Sequence, residues 1–214
     1  DPIATTDPTG ITGMWADPLV QRPEWSFLGA GSAFGLYHRF GNATARGVGG
    51  FIAYRPDHWL LDGTGLGYGD VLGRDAGVVG YETVGLPIQI DDFGLPVPRS
   101  DTDVPAELEI VGLVPASNLG VGDYPKSIAA LSDQGDLEFV ADRIHGGVTD
   151  ENMAKARHGN AAMLTCRPFA TGGEVVTVGS TDWAFGLGDP QVARVTTNVL
   201  RRFVSHERSV SDPG

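Results

Sequence analysis

The stretch "GEVVTVGSTDWAFGLGDPQVARVTTNVLRRFVSH" (residues 173–206) decides the fold, because a strand pattern gives way there to a helix pattern. Its first part pairs with the preceding "AAMLTCRPF" (161–169) as a predicted β-hairpin, joined by a short loop that ends in two glycines. The helix is predicted to begin with Asp189 as its N-cap and Pro190 at its first position. An apolar face follows at three- and four-residue spacing: Val192, Val195, Val199, Leu200 and Phe203.

Upstream of the hairpin, four apolar runs bounded by turn residues predict strands at 49–55, 77–85, 86–90 and 107–117. The pattern loosens between 118 and 159, and we expect a variable or partner-facing region there. Within it, "LEFVADR" predicts a short strand and "ENMAKARH" a short helix. Residues 1–25 are expected to form an extended arm and residues 207–214 a disordered tail. One α/β domain, 26–206, remains between them.

The overall composition disfavours several classes of function. The 214 residues carry a formal net charge of −12, so binding to nucleic acid or to acidic membranes is disfavoured. No apolar run approaches the roughly 18 residues of a membrane-spanning helix. The single cysteine, Cys166, excludes an internal disulfide and is compatible with a reducing compartment, so we predict a cytoplasmic location. Because the sequence begins with Asp-Pro instead of Met, we expect a processed or partial chain.

A second stretch, "DHWLLDGTGLGYGDVLG" (57–73), combines a histidine, a tryptophan and three aspartates with five glycines. Its glycines lack the G-x-G-x-x-G spacing of a dinucleotide fingerprint, and no Lys-Ser or Lys-Thr pair follows, as a phosphate loop needs. The G-x-S-x-G motif of serine hydrolases is absent from the sequence, and Cys166 lies in the middle of a predicted strand. A nucleotide cradle and a serine or cysteine nucleophile are therefore disfavoured.

His58 is the first candidate site residue, because it opens this glycine-rich loop and precedes Trp59. Two interpretations stay open. The histidine and tryptophan could simply pack in a tight turn, or a loop of small residues could bring His58 close to a small substrate as a general base. Glu82 is the second candidate, since a carboxylate near the end of an otherwise buried strand needs a partner. With His58 it could form an acid–base or metal-ligating pair.

Asp182 is the third catalytic candidate, and with Trp183 it follows a predicted strand end, where α/β folds place functional groups. Asp182 could equally brace the turn into the last helix. Trp59, Asp62 and Trp183 are the candidate residues of a substrate pocket.

Four segments occur here in the same order as in a known family: "HWLLDGTGLGYGD", "GVVGYE", "GEVVTVGSTDWAFGL" and "PQVARVTTNVLRRF". Together they resemble the C-terminal domain of the large (beta) subunit of N,N-dimethylformamidase, over roughly residues 10–203. The resemblance implies an α/β three-layer sandwich of the flavodoxin-like, class I glutamine amidotransferase-like type, which we expect to be partial in this chain. It also implies amide hydrolysis at a mononuclear iron, held in the family by two tyrosines and a carboxylate with a histidine nearby.

Residue by residue, the resemblance makes His58 the nearby histidine, as general base or as a residue that orients a ligand. Glu82, or after it Asp62, becomes the metal-ligating carboxylate. The ligand tyrosines of the family lie upstream of the matching segment. We therefore expect that another polypeptide, or an N-terminal portion, completes the iron site in an oligomer, or that the domain has lost the metal.

The predicted function is thus a part of an enzyme that hydrolyses a small amide by metal-assisted attack of water. The alternative is a non-catalytic interaction domain that supports a partner chain or a missing N-terminal portion. A third possibility is a sugar-related role like that of the trehalose-utilisation proteins. Iron content would separate the first two, because a scaffold needs no metal.

Overall fold

A computed structural model of the chain describes Trp15 and residues 20–32, 49–79, 83–123, 136–159, 163–168 and 173–210. The helices are α1 (Trp25–Leu28), α2 (Asp136–His145), α3 (Asp150–Arg157) and α4 (Pro190–Val210). The strands are β1 (Phe51–Ala53), β2 (Val71–Leu72), β3 (Ile88–Ile90), β4 (Pro96–Pro98), β5 (Glu109–Leu113), β6 (Ala116–Ser117), β7 (His158–Gly159), β8 (Met163–Pro168) and β9 (Glu174–Thr177). Short 3-10 turns cover Trp59–Leu61, Val121–Asp123 and Thr181–Gly188.

The largest sheet in the described ranges has five strands in the order β2-β1-β5-β8-β9. Two further two-stranded ladders pair β3 with β4 and β6 with β7. Every strand pairing among these residues is antiparallel. The mixture of helices and strands is the α/β composition that was predicted, whereas a flavodoxin-like sandwich would be built on a parallel sheet and is not confirmed.

The main core lies between this sheet and the first half of α4. Strands β1 and β5 contribute Phe51, Ile110 and Val111, all fully buried, and α4 contributes Val192 and Val195. A tight turn lets the two layers meet closely at Gly73, whose φ of 70° favours glycine. A β-carbon there would lie 2.5 Å from Cγ2 of Val78.

The C-terminal predictions are largely confirmed. Strands β8 and β9 pair as a hairpin, with Cys166 opposite Val176, and the predicted helix is α4. The apolar face is covered only in part, because Leu200 and Phe203 are 60% and 37% exposed. Helix α4 also extends to Val210, four residues into the segment predicted as a tail, and residues 211–214 lie outside the described part.

The predicted strand at 137–143 is wrong, because this segment belongs to helix α2. Leu137, Val140 and Ala141 are buried at helical spacing and pack with Ala156 of α3 in a second, smaller core. The helix predicted at 151–158 is confirmed as α3.

The predicted strand at 77–85 is also not a continuous strand. Residues 77–79 have no strand assignment, and Thr83 and Gly85 each form an isolated bridge, with Ser180 and Gly31 respectively. Residues 80–82 lie outside the described part, as does most of the predicted arm. No helix among the described residues is long and apolar enough to cross a bilayer. The cytoplasmic location stays a prediction.

The N-cap of α4 provides a direct test of the C-terminal architecture. Oδ1 of Asp189 accepts hydrogen bonds from the backbone N–H groups of Gln191 at 2.8 Å and Val192 at 3.1 Å. Asp189→Ala removes both bonds and should lower the free energy of unfolding by about 0.5–2 kcal/mol, measured by urea denaturation. Asp189→Asn keeps an acceptor oxygen and should stay close to wild type. Equal losses in the two variants would contradict this cap.

Candidate functional site

His58 begins the 3-10 turn Trp59–Leu61, and we call His58–Leu61 the His58 turn. Nδ1 of the imidazole accepts a hydrogen bond from the backbone N–H of Leu60 at 3.2 Å, so the side chain caps the turn that it precedes. Leu60 and Leu61 are buried in the core and anchor the turn. Two local features therefore hold the imidazole ring in place: the hydrogen bond that caps the turn, and the two buried leucines that anchor it.

The other ring nitrogen of His58 faces a carboxylate from strand β5. Nε2 lies 3.3 Å from Oε2 of Glu109; the His58 side chain is 7% exposed and that of Glu109 is 43% exposed. The two groups meet at ion-pair distance, but Nε2 is buried and lacks a well-aligned hydrogen bond. Because Nδ1 is an acceptor, the proton of the neutral imidazole belongs on Nε2, toward Glu109.

Burial is the main reason that the pKa of His58 lies below its ordinary value. The nearby Glu109 carboxylate opposes this decrease in the pKa, and the guanidinium groups of Arg55 and Arg202 add to it. Protonation at Nδ1 would also cost the hydrogen bond from Leu60. His58 is therefore a neutral imidazole near neutral pH.

Helix α4 holds the His58 turn in place from the other side. Nδ2 of Asn198 donates to the carbonyl oxygens of Leu60 at 3.0 Å and Asp62 at 2.9 Å, and more weakly to that of Trp59 at 3.4 Å. One turn further along, the guanidinium of Arg202 lies over the Trp59 ring, 4.5 Å from its centroid.

The same guanidinium joins the turn to the sheet. Arg202 binds both carboxylate oxygens of Glu174, through Nε and through Nη2, the latter at 2.6 Å. Glu174 opens strand β9 and is only 10% exposed, so this bidentate pair is largely shielded from water. The His58 turn is thereby held between α4 and the edge strand of the main sheet.

A cleft of about 730 Å³ opens beside this arrangement. It is lined by Tyr54, Arg55, Pro56, Asp57, His58, Trp59, Leu95, Glu109, Glu174 and Arg202. A second cleft of about 400 Å³ shares Trp59 and Arg202 with the first and is also lined by Asp62, Asn198, Arg201 and Ser205. The larger cleft can hold a small organic molecule next to the Glu109 carboxylate.

The structure brings together only some of the residues singled out from the sequence. His58 and Trp59 line the larger cleft, and Asp62 lines the neighbouring one. Trp183 is 8% exposed within the core, where its indole N–H donates to Oγ1 of Thr196 at 3.1 Å. Asp182 lies beside it in the Thr181–Gly188 turn.

Glu82 lies outside the described residues, so the predicted pair with His58 stays a prediction. The carboxylate found beside His58 is Glu109, which the sequence analysis did not select. A signal for it exists in "ELEIVGL", because Leu108 and Ile110 are buried while Glu109 between them points the other way. Nothing local, however, pairs that strand position with His58.

The described donors do not form a complete iron site. No group of three or more His, Cys, Asp and Glu side chains in the described part of the chain is arranged to hold a metal ion. His58 and Glu109 supply two such groups, and Asp62 shares its cleft with Arg201 and Arg202, whose positive charges disfavour a bound cation. Tyr54 lines the larger cleft and packs edge-on against Tyr68 at 5.6 Å.

Comparison with known proteins gives one result that does not depend on this geometry. The family model "N,N-dimethylformamidase beta subunit-like, C-terminal" matches residues 1–197. The match covers most of the chain, including the His58 turn, Glu109 and the first part of α4, and it confirms the resemblance found in the sequence. Comparisons with curated proteins and with solved structures gave no match.

The lowered pKa of His58 predicts a pH dependence of stability. The unfolded chain takes up the proton at the ordinary pKa of about 6.5 and the folded chain only at lower pH. Stability that is complete above that value should therefore decrease as the pH falls below it. His58→Asn retains a side-chain oxygen for the Leu60 N–H and should flatten this decrease, measured as urea midpoints at pH 7.5 and 5.5.

His145 is the matched control for this experiment. Burial, and then the charge of Lys155, lower the pKa of His145 as well, but it ends α2 and does not line the larger cleft. His145→Asn should remove only its own share of the pH dependence and leave that of His58. A decrease of the same size in wild type and His58→Asn would show that His58 is not held neutral by burial.

Proposed function

Because the chain belongs to the N,N-dimethylformamidase beta subunit-like, C-terminal family, we propose that it forms part of an enzyme that hydrolyses a small amide in the cleft beside His58. The observation that carries the proposal is the contact between the buried Nε2 of His58 and the half-exposed Glu109 carboxylate. A fixed imidazole N–H behind a carboxylate that lines a cleft is the arrangement of an oriented general base.

In this proposal Glu109 is the group that contacts the reacting water. Its carboxylate takes a proton from the water as the oxygen attacks the amide carbon, and it returns the proton to the departing nitrogen. His58 stays neutral and positions the carboxylate through Nε2–H. Of the two roles predicted for His58, positioning therefore fits the burial of Nε2 better than direct proton abstraction.

Iron remains part of the proposal only because of the family match. A bound iron would polarise the amide carbonyl. Glu82 and Asp62 stay the predicted ligands, and iron analysis of the purified protein, with Glu82→Gln and Asp62→Asn beside wild type, tests them. The role of Asp182 as a catalytic residue and of Trp59 and Trp183 as pocket residues also stays a proposal, for which the buried position of Trp183 gives less support.

A second polypeptide is expected in the working enzyme, because the family description names a beta subunit. That partner, or an N-terminal portion, would supply the ligands that the described residues lack. The amidotransferase-like architecture and an oligomeric state belong to the same family-based proposal. The non-catalytic alternative keeps the assembly but predicts no hydrolysis and no iron.

Removal of the Glu109 carboxylate should have the larger effect on hydrolysis. Glu109→Gln keeps the shape of the side chain but removes the base, so kcat for a small formamide should fall about 10²–10⁴-fold. His58→Asn removes only the positioning contact and should cost about 10–100-fold. Glu107→Gln is the matched control, because Glu107 is exposed two positions earlier on the chain.

These variants are to be assayed in the assembled protein by release of amine. Wild-type rates in Glu109→Gln would place the chemistry elsewhere in the molecule. An assembled wild-type protein without iron or hydrolysis would instead support the interaction domain. Unchanged thermal unfolding of the variants separates loss of chemistry from loss of fold.

A further inference from the structure

The larger cleft is lined by five charged side chains. Four of them either contact another side chain of the cleft or are exposed to water. Glu174 and Arg202 form the bidentate pair beside Trp59. Glu109 faces His58, and Asp57 is exposed at the cleft wall. The remaining charged group is the guanidinium of Arg55. Arg55 follows Tyr54 in the sequence, and both residues line the cleft.

Arg55 has no counter-ion in the described part of the chain. Its side chain makes neither an ion pair nor a hydrogen bond there, and its Nε is buried without a partner. Arg202, in the same cleft, shows the usual arrangement, with both carboxylate oxygens of Glu174 bound. A half-buried guanidinium with unused donors costs stability, because each buried donor has lost its water without gaining an acceptor. A buried polar group without a partner calls for an explanation, and a catalytic role is one.

The position of Arg55 relative to the proposed base is also informative. The positive charge of Arg55 lowers the pKa of His58, and the imidazole of His58 contacts Glu109. The cleft therefore places a proton acceptor and an unpaired multidentate donor around one space. Two such groups accelerate the attack of water on an amide, one by taking the proton of water and one by stabilising the charge that develops on the carbonyl oxygen, alone or beside a bound metal.

We propose that Arg55 is the residue that binds the acyl oxygen of the amide, from the carbonyl of the substrate through the tetrahedral oxyanion to the carboxylate product. This inference rests on the proposed amide hydrolysis and extends it to a second catalytic residue. The cleft has three carboxylates against two guanidinium groups, so a neutral substrate suits it better than a substrate that already carries an anion.

The hydrolysis needs no reactant other than the amide and water. The water oxygen forms a bond to the acyl carbon, its proton goes to Glu109, and the carbonyl π pair moves to the oxygen held by Arg55. When the tetrahedral species collapses, that pair re-forms the C=O bond and the C–N bond breaks. The proton passes from Glu109 to the nitrogen, the amine leaves, and a carboxylic acid remains and ionises to the carboxylate at Arg55.

The kinetic test compares Arg55→Met and Arg55→Lys with the control Arg99→Met. Arg99 is exposed, paired with Asp101, and does not line the cleft. Arg55→Met should lower kcat about 10²–10³-fold with a much smaller change in KM, because the interaction strengthens as the oxyanion forms. Arg55→Lys should recover part of the loss, and millimolar guanidinium should partly restore Arg55→Ala. A merely structural arginine would show neither recovery.

A binding test needs no turnover. Formate is the carboxylate that hydrolysis of a formamide releases. It is titrated into the full chain by calorimetry at constant ionic strength, and chloride is the control anion. Wild type and Arg99→Met should bind formate, and Arg55→Met should bind it at least tenfold more weakly. Because the chain carries a net charge of −12, non-specific binding of anions is disfavoured.

The two tests separate the inference from the proposed function. Formate binding that depends on Arg55, in a protein without any amide hydrolysis, would sustain the acyl-oxygen site and overturn the proposed activity. Hydrolysis that is lost in Glu109→Gln but unaffected in Arg55→Met would sustain the activity and overturn the role of Arg55. Equal formate affinities in wild type and Arg55→Met would also overturn it.

Discussion

The amide of Asn198 is the contact on which the site depends, because it joins helix α4 to the turn that carries His58. Its two N–H donors are shared among three carbonyl oxygens, those of Trp59, Leu60 and Asp62. Arg202 repeats the connection one helical turn later by covering Trp59 and binding Glu174. The position of His58 is therefore set by tertiary contacts, and the glycine-rich loop after it only permits the chain to turn away.

The polar contacts of His58 connect this turn to the cleft. The backbone N–H of Leu60 fixes Nδ1 of His58 as an acceptor, which places the imidazole proton on Nε2, and Nε2 faces Glu109. Burial disfavours the imidazolium, so the pair consists of a neutral donor and a carboxylate. A protonated histidine would form a stronger ion pair and would compete with the water proton for the carboxylate. In the proposed mechanism, the neutral ring orients Glu109 while leaving its charge available in the cleft.

The features that the sequence predicted are those with local causes. The Asp189 cap, the hairpin of β8 and β9 and the first half of α4 follow from spacing within a few residues. Glu109 was missed because its pairing with His58 joins a strand to a distant turn, and no short-range pattern encodes that contact. The segment 137–143 was misassigned because Phe139 and Val140 favour strands, whereas burial of Leu137, Val140 and Ala141 against α3 decides for a helix. His58 and Trp59 could be selected because unusual residues in a glycine-rich loop are visible without knowledge of their partners.

The charges of the cleft fit the proposed hydrolysis, in which a transient negative charge arises between them. Glu174 is neutralised by Arg202, whereas the neutral His58 contacts Glu109 without cancelling its charge. Among the described residues, neither carboxylate forms an ion pair with Arg55. A resident anion would satisfy Arg55 but would lie close to Glu109 and Asp57, whose repulsion would weaken its binding. A neutral amide avoids that repulsion in the ground state, and Arg55 then interacts most strongly with the charge formed as water attacks. In the proposed reaction, the unpaired guanidinium destabilises the free protein and stabilises the transition state.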